Sequence, residues 1–267
     1  MSDLSIGYRG MDMPIAIGST FLKRVQDVEF SRTIPTRAVD ELGTNQHVAL
    51  IQETYQYQCR LTRIGIEDGI EGSIAGKGSP ILLTDYIAAT GVTVMGPNGG
   101  IEEAKLVSVE YEATAGFEPP REIFTLEGTA WTSGSIASVL DLTPVPTGAD
   151  VSINIGGALS RAQRVRVRAD LRKEAAEEIG TADPIGYAYD PPDVNAEIEF
   201  LHSTVTSDVW DPDQDDPPSL VLTINDKVLT VEKAVSEGQV GRGNVRGWAT
   251  SVYRYVSLSG KLTTAWT

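Results

Sequence analysis

The chain has 267 residues, a formal net charge of −15, 41% apolar residues and one cysteine. That much negative charge excludes a protein that grips nucleic acid by its phosphates, which takes a basic surface. No run approaches the ~20 apolar residues of a membrane span, and Cys59 alone forms no intrachain disulfide.

Residues 1–23 read as an irregular arm punctuated by Gly7, Gly10, Pro14 and Gly18, and the opening MSDLSIGYRG lacks the basic-then-apolar layout of a secretory signal. From residue 28 to 34 the pattern alternates. Val28, Phe30 and Ile34 point one way; Asp27, Glu29, Ser31 and Thr33 point the other, as in a half-buried strand. Pro35 stops it. Thr36 is placed to cap a short helical turn through Asp40, Glu41 and Leu42, which Gly43 ends. A second strand over 55–62 sets Tyr55, Tyr57, Cys59 and Leu61 against Gln56, Gln58, Arg60 and Thr62. Residues 66–78 are glycine-rich and read as a loop. Ser79 and Pro80 then look like an N-cap and first-turn proline, predicting a helix over 81–89. Strands are expected over 92–95, 105–111 and 122–131, with a turn at 96–100. Residues 133–160 are poor in charge and rich in small residues, so they read as a connector in which 151–155 adds a strand.

The second part of the chain repeats the plan. VQDVEFSRTIPTRAVDELGT at 25–44 aligns without a gap on AQRVRVRADLRKEAAEEIGT at 162–181, a constant offset of 137 (163 against 26, 180 against 43). TAWT closes each part, at 129–132 and 264–267. Such self-similarity is read before anything else, because it decides the domain count. The expected domains are 1–134, led by the arm, and 135–267, led by a connector over 135–160. In the second, Val165, Val167, Ala169 and Leu171 alternate with Arg164, Arg166, Arg168 and Asp170. A helix is expected over 173–179, capped by Gly180. Strands follow over 194–200, 221–224, 228–231 and 252–262, and 207–219 is an acidic, proline-rich loop.

Charge signs swap between equivalent strands. The first copy carries Asp27 and Glu29 on its first strand and Arg60 on its second; the second copy carries Arg164, Arg166 and Arg168 on its first strand and Glu197 and Glu199 on its second. Opposite charges on neighbouring strands help by about 0.2–1 kcal/mol per pair. Polar faces that meet, within a copy or between copies, would use the swap to tell two kinds of neighbour apart and fix their order. If both faces are simply wet, the pairs contribute little. Trp131 and Trp266 end their copies at matching places, where a strand-end tryptophan anchors the sheet or packs at an interface; a carbohydrate platform is the other reading.

Little else points to chemistry. His47 and His202 are isolated, too few with one cysteine for a zinc site, and no GxSxG elbow is present. GQVGRG at 238–243 lacks the GKS or GKT ending of a phosphate loop and reads as a hairpin turn or flexible loop. Asp211, Asp213 and Asp215 have the spacing of a calcium loop, but Asp216 and Leu222 stand where Gly and Glu belong. Cys59 falls on an apolar strand face and reads as core. No catalytic residue, cofactor or metal is expected.

SRTIPTRAVDELGTNQHVALIQ at 31–52, matched in the second copy over 168–185, resembles the tail tube (major tail) proteins of tailed viruses, in which a strand leads into a short acidic ELG-type turn, a polar loop and another strand. The resemblance covers about a third of each copy. It implies a mainly β fold of two tandem β-sandwich or barrel modules, each with a short α-helix. It also implies a non-enzymatic virion protein. Modules of this family form sixfold rings; duplicated forms make trimeric, pseudo-sixfold rings that stack into a tube for DNA ejection. The implied partners are further copies of the chain, the tape measure, baseplate or tip, terminator and any sheath, with viral DNA passing unbound. The implied location is the virion tail, reached from the host cytoplasm. The sequence departs from the duplicated form in showing no appended immunoglobulin-like domain, so exterior decoration is not expected. A tube initiator, terminator or hub-like ring protein is the nearest alternative, and a carbohydrate-binding β-sandwich a more distant one.

Overall fold

The computed structural model describes residues 6–9, 14–34, 36–40, 47–52, 55–64, 69–136, 147–157, 162–176, 186–201, 216–242 and 250–266. The fold is mainly β, with large antiparallel sheets and two short α-helices. The elements are β1 (Ile6–Arg9), β2 (Ile15–Ile17), β3 (Thr20–Leu22), β4 (Val25–Thr33), β5 (Thr36–Asp40), β6 (His47–Gln52), β7 (Gln56–Ile64), α1 (Ile70–Ala75), β8 (Ile81–Leu82), α2 (Leu83–Ala88), β9 (Val92–Gly96), β10 (Gly99–Thr114), β11 (Arg121–Gly128) and β12 (Ala130–Thr132). They continue as β13 (Val151–Ile155), β14 (Ala162–Asp170), β15 (Lys173–Ala176), β16 (Gly186–Tyr189), β17 (Asp193–Leu201), β18 (Leu220–Ile224), β19 (Lys227–Val231), β20 (Ala234–Arg242), β21 (Thr250–Ser257) and β22 (Leu262–Trp266).

One continuous path runs β1-β4-β7-β11-β10-β14-β17-β21-β20. Its strands alternate buried and solvent-facing residues, the period-two pattern of a sheet with one wet face. In β14, Val165, Val167 and Ala169 are buried while Arg164 and Arg168 are exposed. A second sheet, β13-β18-β19-β22-β8, contributes Leu222, Ile224, Leu229 and Val231 to the same hydrophobic cluster as the buried face of the long path.

The 16-residue β10 belongs to two groups of strands. Its first residues pair with β9 and β12, and its later ones with β11 and β14. The change comes at Glu103, which adopts φ 51 where the register with β9 shifts. The second half makes the same change with two strands, β19 and β20, on either side of Lys233 at φ 50.

Strand geometry repeats along the chain. β4 and β14 are nine residues each and begin 137 apart (25 against 162); β7 and β17 do the same (56 against 193). Both β4–β7 and β14–β17 carry a register shift at the same point, between Val25 and Asp27 and between Ala162 and Arg164. β11 and β21 are eight residues each, and their partners β10 and β20 shift register between Leu106 and Ser108 and between Ser236 and Gly238. These halves share one sheet: β10 pairs with β14 from Ser108↔Asp170 to Thr114↔Arg164.

Several expectations are corrected. The predicted turn from Thr36 is the strand β5, paired with β6; residues 41–43 lie outside the described set. Of the helix expected over 173–179, Lys173–Ala176 is likewise a strand, paired with β16; residues 177–180 lie outside the described set. Hairpin pairing overrides the local helix propensity of these four residues. Both described helices therefore lie in the first half. The glycine-rich loop contains α1. Ile81–Leu82 is a strand, so the second helix starts later, with Asp85 Oδ2 accepting from Leu82 N at 2.8 Å. The arm contains β1 and the β2–β3 hairpin. The stretch from 238 to 242 belongs to β20, and the strand expected to 262 ends at Ser257 before β22 begins.

Candidate assembly surface

The wet face of the long sheet carries the charges singled out in the sequence. Arg166 stands opposite Glu197 and Arg164 opposite Glu199. Their ion pairs, though, run the other way, to β10. Arg166 donates Nε to Glu110 Oε1 at 2.7 Å and Nη2 to Oε2 at 2.6 Å, a bidentate grip. Arg164 pairs with Glu112. Hydrogen bonding to Glu110 holds the Arg166 guanidinium above its usual range against the effect of burial, with the charges of Glu110, Glu112 and Glu197 adding to it. Arg168 turns to Asp170 on its own strand at 2.8 Å. Glu197 meets Arg254 at 3.4 Å. One row across the sheet thus reads Arg121, Glu112, Arg166, Glu197, Arg254, with alternating sign. Asp27 and Glu29 are exposed on β4, where Glu29 faces Arg60. Glu110 and Glu112 were the partners sequence reasoning missed. Their signal was present, since both occupy wet-face positions of the alternating strand over 105–111 and its continuation.

The two tryptophans do not occupy matching positions. Trp131 stands opposite Ile101, two residues beyond the start of β10, whereas Trp266 stands opposite Lys227, the first residue of β19. The TAWT echo is thus displaced by two against the strand pairing. Trp131 packs edge-on against Phe30, ring centres 5.6 Å apart. Trp266 lies over the start of α1, so close that a Cβ on Gly69 would meet its ring at 2.3 Å. Ser79 Oγ donates to Trp266 O at 3.1 Å and accepts from Trp266 N at 3.0 Å, beside the β8–β22 pairing. Trp266 therefore anchors the second half to the helical segment of the first.

Under that contact lies a cluster sequence reasoning did not find. Lys227 Nζ reaches Glu71 Oε1 at 2.7 Å and Glu122 Oε2 at 3.2 Å, and Arg63 Nε donates to Glu122 Oε1 at 2.5 Å. The Tyr111 hydroxyl donates to Glu71 Oε1 at 2.6 Å. All four charged side chains are at most 1% exposed. Burial disfavours the Lys227 ammonium, but Glu122 and Glu71 outweigh it and hold the group above the usual lysine range. Burial pushes the Glu122 carboxyl up, while Arg63 and Lys227 pull it partly back. Burial and the Glu71 charge keep the Tyr86 and Tyr111 phenols protonated. Two cations against two carboxylates, sealed from solvent, make a neutral lock between halves rather than an open reaction site.

Among the described residues no group of three His, Cys, Asp or Glu could hold a metal ion, and no helix is long and apolar enough to cross a membrane. His202 and Asp211, Asp213 and Asp215 lie outside the described residues. Cys59 is fully buried, and burial pushes its thiol far up. No protein-family model matches the chain, and no curated protein matches it significantly.

Proposed function

We propose that the chain is a structural, non-enzymatic virion protein: the building block of a viral tail tube, in which three copies close a ring of six modules and rings stack around a DNA-conducting lumen. The observation that carries this reading is the β10–β14 joint. Two sets of four strands with the same register shifts, three of the four equal in length, are joined side by side in one sheet, which is what duplication of a ring-forming module would produce. Apart from the short β1 that covers β4, the ends of the sheet are β4 and β20, which repeat the two strands of that joint. An open sheet with such ends closes by adding further copies, and closure removes its edges. The mixed-charge wet face would line the lumen, and the net charge of −15 keeps DNA from adhering. In this reading the protein's partners are its own copies and the remaining tail components, and its location is the virion.

Electron microscopy of the purified protein, with the native mass of its smallest ring, tests this. Three-chain rings and hollow filaments are expected. Six-chain rings would leave the tube but refute the account of the halves. A ring that never stacks would move the reading to an initiator or terminator. A stable monomer would favour a binding module, with glycan binding tested next.

A further inference from the structure

We infer that successive chains join by antiparallel pairing of β20 with the outer edge of β4 in a second copy, in the register Arg242↔Glu29, and that β1 vacates this edge when they do. The inference rests on the ring reading and deepens it by naming the surface, the register and the key.

The register comes from the joint inside the chain. β14 corresponds to β4, and β10 beyond its register shift corresponds to β20 beyond its own. Transferring Glu112↔Arg166 onto the free strands gives Arg242↔Glu29, and transferring Glu110↔Arg168 gives Val240↔Ser31. The signs are reversed: inside the chain the carboxylate is on the β10-type strand, while between chains it is on the β4-type strand. Mispairing is then disfavoured in both senses. A β20 edge laid on β14 sets Arg242 against Arg166, and a β10 edge laid on β4 sets Glu112 against Glu29. Like charges placed together in an interface are costly and suppress wrong partners. The swap therefore forces the two kinds of half to alternate.

Two observations mark β20 as awaiting a partner. It ends the long path with no strand on its outer side among the described residues. It also carries Val240, 45% exposed, at a wet-face position. Beyond its register shift at Ser236–Gly238 the edge carries neither proline nor lysine, and such an edge is one that proteins usually protect. The β4 edge is already covered, by β1 in the register Gly7↔Glu29 and Arg9↔Asp27. β1 is four residues long and overlaps, at Glu29 and Phe30, the row of backbone groups that β20 would take over residues 29–33. The two pairings exclude each other, so β1 is a temporary cover and the exchange gates assembly.

The test is charge reversal in the full chain, read by native mass and sedimentation, with circular dichroism and melting to confirm folding. Glu29→Arg and Arg242→Glu should each raise the concentration needed for ring formation on the order of tenfold. Combining them should restore it. Arg9→Glu, which sets a carboxylate opposite Asp27, should loosen the cover and speed assembly. Rings that form equally well in both single variants overturn this joint while leaving the tube intact. Folded single variants whose defect the double variant does not relieve overturn the Arg242↔Glu29 register. Slower assembly of Arg9→Glu overturns the exchange. A wild-type chain that stays monomeric overturns the joint and the tube together.

Discussion

Lys227 Nζ, from the second half of the chain, sits 2.7 Å from Glu71 Oε1 on a helix of the first half, and neither side chain is exposed. Lys227 also reaches Glu122, which Arg63 holds from the neighbouring strand. Removing one member of a buried ionic group leaves an uncompensated charge, a loss of about 3–5 kcal/mol. Lys227→Met is expected to lose that much in urea denaturation. The deficit depends on pH. Burial already raises the Glu122 carboxyl, and without Lys227 it rises further. A carboxyl raised in the folded state contributes stability that is complete below its unfolded value of about 4.3 and is lost as pH rises through the folded value. Lys227→Met should therefore fall further behind the wild type at pH 8 than at pH 5.

Gly69 and Trp266 form the second contact between halves. A methyl group on Gly69 would press on the Trp266 ring at 2.3 Å. Overpacking of this kind costs about 1–3 kcal/mol, so Gly69→Ala should destabilise by that amount. Trp266→Leu opens the space. The double variant should then be more stable than the sum of the two losses predicts, by about 0.5 kcal/mol or more, because the residues share one contact. Strict additivity would place the strain elsewhere.

The long strands were legible because one face is wet and the other buried. Val165, Val167 and Ala169 against Arg164, Arg166 and Arg168 spell out a period of two that nothing else in the chain obscures. The helix expected from Lys173 fails over 173–176 because lysine, glutamate and alanine favour helix locally, while the partner strand at 186–189 is remote in sequence and its own pattern carries no sign of the pairing. The buried cluster was hidden for a related reason. Arg63 follows Cys59 and Leu61 on the buried face of β7, and Glu122 precedes Phe124 and Leu126 on that of β11. Their positions in the alternation were the signal. Read as isolated charges they pass for surface residues, since they are each other's partners across 59 residues of sequence and Lys227, which also holds Glu122, lies 105 residues further on.

Cys59 offers a test of the core reading. The thiolate is the reactive form, and burial raises this thiol well beyond the ordinary range. Native protein at pH 8 should release no chromophore from a disulfide reagent, and one equivalent should react in denaturant. Prompt reaction of the native protein would mean that β4 and β7 separate readily, since Cys59 pairs with Phe30 between them.

Arg166 and Glu110 join β14 to β10 by two hydrogen bonds, yet the pair should contribute little to stability. The Arg166 side chain is 41% exposed. A pair this wet exchanges solvent contacts for protein contacts and is screened by salt, so a double-mutant cycle of Arg166→Ala and Glu110→Ala should give a coupling of about 0.2–1 kcal/mol. The coupling should shrink in 1 M salt, where the screening length is about 3 Å. What holds this joint is the backbone ladder and the buried row behind it, where Tyr111 faces Val167 and Ala113 faces Val165. Tyr111→Ala should cost about 3–5 kcal/mol by the cavity it opens, and more than the Arg166–Glu110 coupling at every salt concentration. A larger effect from the ion pair would make charge, and not packing, the force that joins the two halves.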